Sequence, residues 1–476
     1  MSPSATALLI ILGIVGVGSF IGFLAGARRK MDLEQWTVGG RGFGLVLVWL
    51  LMAGETYTTF TFLGASGWAY SRGGPALYIL AYPMLAYVVS FYILPPIWEV
   101  ARAHGLQTQP DFFKHCFGGE SLAVLVALIG VVSIIPYLQL QLVGMGIIVQ
   151  VASFDRITHS MAMMIAAALV ASFVFVSGVR AVAWVSVLKD FLLLFAAVAI
   201  GVFVPYRWFG GIGPMFSTLI HADPAHFTMP GASKQLGHAW YISTVILTSL
   251  GFYAWPQAFG SSFTAKSGDT LRRNAVVMPL YSLAVPFIFF TGFAALRIIP
   301  GLANGDLSLL TVVRKTFPPW FLGVVGGAGA LTAMVPSAIL TLTAATLFAK
   351  NLYRPLCARE MNEAQVARLA RRMAIVLMAV ALLFALKSSS TIVTLLLLGY
   401  AGVTQFFPGI VLGLFWGRAN RDGVFWGLVV GIATVVFLVL TGRDPFLGLN
   451  AGFVALALNF AVTFAICLLT GTRRAH

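Results

Sequence analysis

The chain has 476 residues, of which 59% are hydrophobic and only 9% charged, with a net charge of +15. A soluble domain carries roughly 25% charged residues; this much apolar surface needs lipid as its solvent, so a soluble enzyme is excluded and an all-α polytopic membrane protein is expected. The positive charge sits in short loops between apolar runs rather than in a basic domain, which points to membrane topology and away from nucleic acid.

A helix needs about 20 apolar residues to cross a bilayer. On that rule thirteen spans are expected, at 7–26, 44–70, 75–100, 121–152, 159–177, 182–205, 238–259, 275–299, 319–349, 373–386, 389–416, 424–441 and 451–470. The first run has no basic residues before it and Arg28, Arg29 and Lys30 after it. That marks a retained helix with its N-terminus outside, not a signal peptide. Thirteen spans then place the C-terminus in the cytoplasm. Most of the lysines and arginines fall in segments this orientation makes cytoplasmic, among them Arg41, Arg102, Lys114, Arg273, Arg354 and Arg368. Loops left inside are enriched in such residues. Cys116, Cys357 and Cys467 lie at expected inner ends without metal-ligand spacing, which reads as reduced and structural. The outer loop 206–237, with "HADPAHFTMPGASK", is expected to pack as a lid or short helices. The inner segment 350–372 carries "EAQVARLARR", a basic amphipathic stretch expected to lie on the membrane surface. No separate soluble domain is expected.

The informative residues are the polar ones inside the spans. Span two contains "MAGETYTTFTFLG", which sets Glu55 about 16 Å into the helix, near the midplane. A charge there costs a few kcal/mol on insertion scales. Gly54 before it and the hydroxyl-rich, β-branched stretch after it form helix poorly, so a break exposing backbone groups to a cavity is expected. Span seven, "WYISTVILTSLGFYAWPQAF", carries Gly251 and Pro256 around an aromatic patch, a second break. Two interrupted helices five spans apart and oppositely oriented are the sequence pointer to an inverted-repeat transporter. Span six, "RAVAWVSVLKDFLLLF", places Lys189 at nearly the depth of Glu55. Its neighbour Asp190 points about 100° away on an ideal helix, so Glu55 is the expected partner of Lys189, the two forming a charge pair that solute or a proton can open. Each feature has a plainer reading: a buried structural glutamate, an ordinary proline kink, a structural ion pair, and in span nine ("GGAGALTAMVPSAILTLTAATLFAK") small residues that only pack helices closely.

From polar and aromatic side chains beside the breaks, the expected solute site is Glu55, Thr56, Thr58 and Thr59 of span two, Tyr82 of span three, Trp255 and Gln257 of span seven, and Gln405 of span eleven. Coupling is assigned to Glu55, Lys189 and Asp190. All seven histidines lie in loops or at span edges, so no intramembrane catalytic set is expected. The polar residues form isolated clusters, not the continuous stripe of a channel.

Several stretches resemble a known family. "TVGGRGFG", "LGASGWAYSRGG", "AVAW", "LFAKNLYRP" and "QFFPGIVLGLFWGR" are similar, in order and over nearly the whole chain, to the sodium:solute symporter family. "GETYTTFTFLG" and "VLKD" look most like its bacterial monocarboxylate permease branch. The resemblance implies an integral protein of the bacterial inner membrane with a five-plus-five inverted-repeat, LeuT-like core. Its first repeat would be spans 2–6 (44–205) and its second spans 7–11 (238–416), with 1–43 a peripheral helix and loop, 206–237 an outer loop, and 417–476 peripheral spans and tail. It implies cation-coupled symport of a small organic solute, a monocarboxylate favoured, with Na+ or H+ as coupling ion, lipid as surroundings and no cofactor. A proton-coupled amino-acid or other small-solute permease is the alternative. The family's sodium-site carbonyls correspond to Gly54, Tyr57 and Thr332. Its adjacent hydroxyl pair falls on Val335 and Pro336, which have none, with Ser337 next in line; a carboxylate many relatives carry falls on Ser186. Lys189 appears one turn deeper, where its ammonium could take the space of a sodium ion.

Overall fold

The computed structural model describes residues 1–26, 39–176 and 179–470, and these are nearly all helical. Among the described residues ten helical segments are long and apolar enough to cross a bilayer, from Pro3–Leu24 to Ala451–Thr470. An eleventh crossing is made by Leu45–Thr56 and Phe60–Ser71, bent by 51° at span two. The two remaining expected spans are also helical but shorter or split. Span five is His159–Val176. Span seven is His238–Gly251, a 3-10 turn Phe252–Ala254, and Pro256–Ser262.

Span one (Pro3–Gly26) lies against span nine and span six (Val179–Phe209), while spans twelve (Arg421–Leu440) and thirteen (Ala451–Thr470) pack on each other. With lipid all round, such contacts depend on close approach rather than on hydrophobic burial. Gly323 of span nine shows it: a Cβ there would sit 2.9 Å from the Ala7 carbonyl oxygen of span one.

The segment 350–372 differs from expectation. Span nine continues through a π-helical turn, Leu347–Tyr353, and ends at Cys357. "EAQVARLARR" is the first part of one unbroken helix, Glu363–Lys387. Asn362 and Gln365 close a reciprocal capping box at its start, and no proline or glycine follows to end it, so it runs straight into span ten instead of lying along the surface. The loop expected to be outer does fold into short helices, Ile212–Ala222 and Pro224–Phe227. There the His226 ring meets the Ala69 carbonyl at 2.8 Å, joining the loop to the end of span two.

At the opposite end, a short helix after span three, Gln109–Phe117, is clipped to span nine. Asp111 accepts from Lys350 and Asn351, both at 2.9 Å. Burial would raise this carboxyl, but the Lys350 charge and the surrounding hydrogen bonds outweigh it and hold it below the usual carboxylate range.

Candidate functional site

The break in span two is stabilised atom by atom. Tyr57 leaves the helix at φ −95° and ψ 96°. The Thr58 hydroxyl accepts from the Phe60 N–H at 3.2 Å, and the Thr61 hydroxyl donates to the Thr56 carbonyl at 2.6 Å. Backbone groups freed in a membrane must find internal partners, and the short polar side chains of "TYTTFT" supply them. The Gly54 and Tyr57 carbonyls are reached from span six: the Lys189 ammonium donates to them at 3.0 and 3.1 Å. Gly54 is tightly covered, since a Cβ would lie 3.0 Å from the Ser186 hydroxyl and 3.4 Å from Lys189 Nζ.

Span seven breaks at Trp255, whose ψ of 130° is the extended form a residue before proline prefers. Pro256 then starts the next helical piece, where its missing N–H costs nothing. The freed Ala254 carbonyl accepts from Gln109 Nε2 at 2.9 Å.

The expected Glu55–Lys189 pair is not what the structure shows. Lys189, fully buried, pairs with its sequence neighbour Asp190 at 2.9 Å. Neighbouring side chains diverge at Cβ, but the four-carbon stem of Lys189 lets its ammonium swing back into the gap where Asp190 also lies. Asp190 is held there by the Tyr281 hydroxyl at 2.6 Å, and the Tyr57 hydroxyl donates in turn to the Tyr281 carbonyl. Glu55 faces the other way and accepts from the Ser261 hydroxyl of span seven.

Between the breaks lies a narrow cavity of about 20 Å³, room for about one water. Span two contributes Glu55, Thr56 and Phe60, and span seven Phe252, Trp255, Gln257 and Ala258; Tyr82, Tyr137, Leu396 and Tyr400 come from spans three, four and eleven. Glu55 Oε2 and Gln257 Oε1 are buried without a hydrogen-bond partner among the described residues. Gln257 also lines a second narrow cavity, of about 30 Å³, with Ser261, Gln107, Gln109 and Thr346, toward the end expected to be cytoplasmic. On the opposite side Tyr82, Tyr78, Trp68 and Trp240 form a chain of ring contacts with centroids 5.7–6.0 Å apart.

Three expected solute residues lie outside this cavity. Thr58 caps the helix beyond the break, and Thr59 donates to Gln141 of span four at 2.7 Å. Both were placed by proximity to the break, but at the bend their side chains turn to satisfy backbone and neighbouring helix. Gln405 bonds to the Ala401 and Gly452 carbonyls and to Asn459 of span thirteen, because a buried amide is satisfied where donors and acceptors are available. Sequence reasoning missed Tyr137 and Tyr400, whose only local signal is a phenol in an otherwise apolar helix.

At the expected sodium position, Val335 and Pro336 offer no hydroxyl and Ser337 donates to the Ala333 carbonyl of its own helix. The Thr332 hydroxyl likewise bonds within span nine, to Ala328, while Pro336 brings no N–H to the Thr332 carbonyl. Among the described residues no group of three His, Cys, Asp or Glu could hold a metal.

Two interrupted helices facing each other across a narrow polar cavity define a secondary transporter with a LeuT-type core. The chain belongs to the sodium:solute symporter family, whose model matches residues 36–431. It is 44% identical to the symporter YhjB of Bacillus subtilis, over 98% of this chain and 97% of that one. It is 27% identical to a monocarboxylate transport permease protein of Rhizobium johnstonii, over 97% and 96%. Its fold superposes on a Na+-coupled sialic acid symporter with a TM-score of 0.82 at 17% identity, each chain covered to 98%. The protein is an integral membrane, cation-coupled symporter, not an enzyme.

Proposed function

We propose that this symporter imports a short-chain monocarboxylate such as lactate or pyruvate across the bacterial inner membrane by alternating access. The observation that carries the reading is the lining itself: polar and aromatic side chains of both interrupted helices meet at one narrow cavity, where Glu55 Oε2 and Gln257 Oε1 have no partner among the described residues. Glu55, Thr56, Tyr82, Trp255 and Gln257 form the solute site within it. The hydroxyls of Tyr82, Tyr137 and Tyr400 are the donors for a solute carboxylate, and the unpaired oxygens of Glu55 and Gln257 accept from a solute hydroxyl. The relative named as a monocarboxylate permease supports the substrate class. Spans 2–6 and 7–11 act as the two repeats.

The test is uptake of labelled L-lactate into proteoliposomes, competed with unlabelled pyruvate, propionate, alanine, proline, a sugar and a nucleobase. Short monocarboxylates should compete best, and lactate better than propionate, which lacks the hydroxyl. Competition by the sugar or nucleobase alone would overturn the substrate class. Gln257→Ala should raise the half-saturation concentration about tenfold, the loss of roughly 1.4 kcal/mol, while Gln405→Ala leaves it near wild type. Equal effects of the two would remove the site assignment.

The orientation we propose has the N-terminus outside and the C-terminus in the cytoplasm. Cysteines engineered at Ser2 and Arg443 should then react with an impermeant thiol reagent added to whole cells, and those at Arg273 and Arg368 only after the cells are opened. Labelling of the Ser2 position only in opened cells refutes it.

A further inference from the structure

We propose that Lys189 is the resident cation of this chain's ion site: its ammonium takes the Gly54 and Tyr57 carbonyls, and the protein works without sodium bound there. Three observations converge. Lys189 Nζ has three protons and three short contacts, to Gly54 O at 3.0 Å, Tyr57 O at 3.1 Å and Asp190 Oδ1 at 2.9 Å, so each proton has an acceptor. The residue is wholly buried, and its ammonium lies close over Gly54, 3.4 Å from where a Cβ would stand. The hydroxyl ligands are missing too, since Val335 and Pro336 carry no hydroxyl and Ser337 is turned into its own helix, which leaves only the Thr332 carbonyl. A sodium ion takes several oxygen ligands, and here two of the three backbone ones are occupied by a cation that cannot diffuse away.

The tethered charge does structurally what a bound ion would do. It holds two carbonyls that the break would otherwise leave bare, and so fixes the bend of span two beside the cavity. Asp190 is its counter-ion, and the Tyr281 hydroxyl fixes that carboxylate. Sodium is then not the cargo of this site, and solute accumulation draws on another cation gradient.

The idea deepens the transport reading but is tested without solute, so its failure is separable from an error about the substrate. Purified full-length protein is assayed for 22Na+ binding and for its unfolding temperature in sodium chloride against choline chloride. Wild type should show no saturable 22Na+ binding and the same unfolding temperature in both salts. Lys189→Ala leaves Gly54 O, Tyr57 O and the Asp190 carboxylate around a vacant space, so it should gain saturable 22Na+ binding and unfold at a higher temperature in sodium than in choline. Lys189→Ser opens the same space and serves if the alanine variant does not fold. Saturable sodium binding by wild type overturns the proposal. So does a folded Lys189→Ala or Lys189→Ser that gains none. If neither variant folds in either salt, the wild-type measurement decides.

Discussion

Asp190→Ala is expected to destabilise the protein by about 3–5 kcal/mol, far more than any exposed ion pair would. Lys189 and Asp190 are both buried and 2.9 Å apart. Removing the carboxylate leaves an ammonium in a low-dielectric interior with only two carbonyl partners, and strips the Tyr281 hydroxyl of its acceptor. That hydroxyl belongs to the chain that continues through the Tyr281 carbonyl to Tyr57 at the break, so the damage should reach span two. The pair itself is a different matter from either half. Replacing both members with apolar residues of similar size removes the desolvation cost together with the attraction, and such exchanges are often neutral. Lys189→Met/Asp190→Leu should therefore recover much of the stability lost by Asp190→Ala while failing to transport. Thermal unfolding of the purified protein followed by tryptophan fluorescence measures this, with Arg273→Ala as the control, since Arg273 and Asp269 form an exposed pair. If Asp190→Ala shifts the unfolding temperature no more than that control, the pair is not what holds the bend.

What the sequence makes legible here follows the range of the interactions. Spans are set by local hydropathy, and both breaks by local chemistry: Gly54 with a run of hydroxyls in one case, a residue before Pro256 in the other. Glu55, Thr56, Tyr82, Trp255 and Gln257 come together in one cavity because each sits within a turn of a break or on the helix facing it. Side-chain direction at a bend is not local in that sense. Thr59 turns toward Gln141 of span four, and Gln405 toward Asn459 of span thirteen, partners that no spacing in the sequence reveals. Tyr137 and Tyr400 are invisible for the converse reason, since an isolated tyrosine in an apolar helix can face lipid, a neighbour or a cavity with the same pattern. The Lys189–Asp190 contact defeats the rule that adjacent helical residues do not meet. That rule describes Cβ directions and not the reach of a long, flexible lysine drawn to two bare carbonyls.

Gly399→Ala is expected to raise the half-saturation concentration for solute roughly tenfold or more, through Trp255. A Cβ at Gly399 would lie 2.4 Å from the outer carbon of the Trp255 indole and 3.2 Å from the Ser133 carbonyl oxygen. The 2.4 Å approach is to a side chain and the 3.2 Å one to backbone, so the indole is the neighbour that must move. It is held between Tyr137 and Tyr400, with centroids at 4.9 and 5.4 Å, and its open side is the solute cavity it lines. Overpacking of this kind typically costs 1–3 kcal/mol; if that appears as lost solute affinity it corresponds to roughly five- to 150-fold. A smaller ring at position 255 should relieve the clash. Phenylalanine lacks the second ring whose far edge reaches Gly399, so Gly399→Ala/Trp255→Phe should bind solute better than Gly399→Ala alone, although Trp255→Phe by itself should weaken binding in the wild-type background. Non-additivity of that sign is diagnostic of two residues sharing one space. Half-saturation concentrations for the solute that prevails in the competition series, measured for the four proteins of this cycle, decide it. Purely additive effects would mean that Gly399 acts through the helix backbone, and that Trp255 is not the wall against which the solute is held.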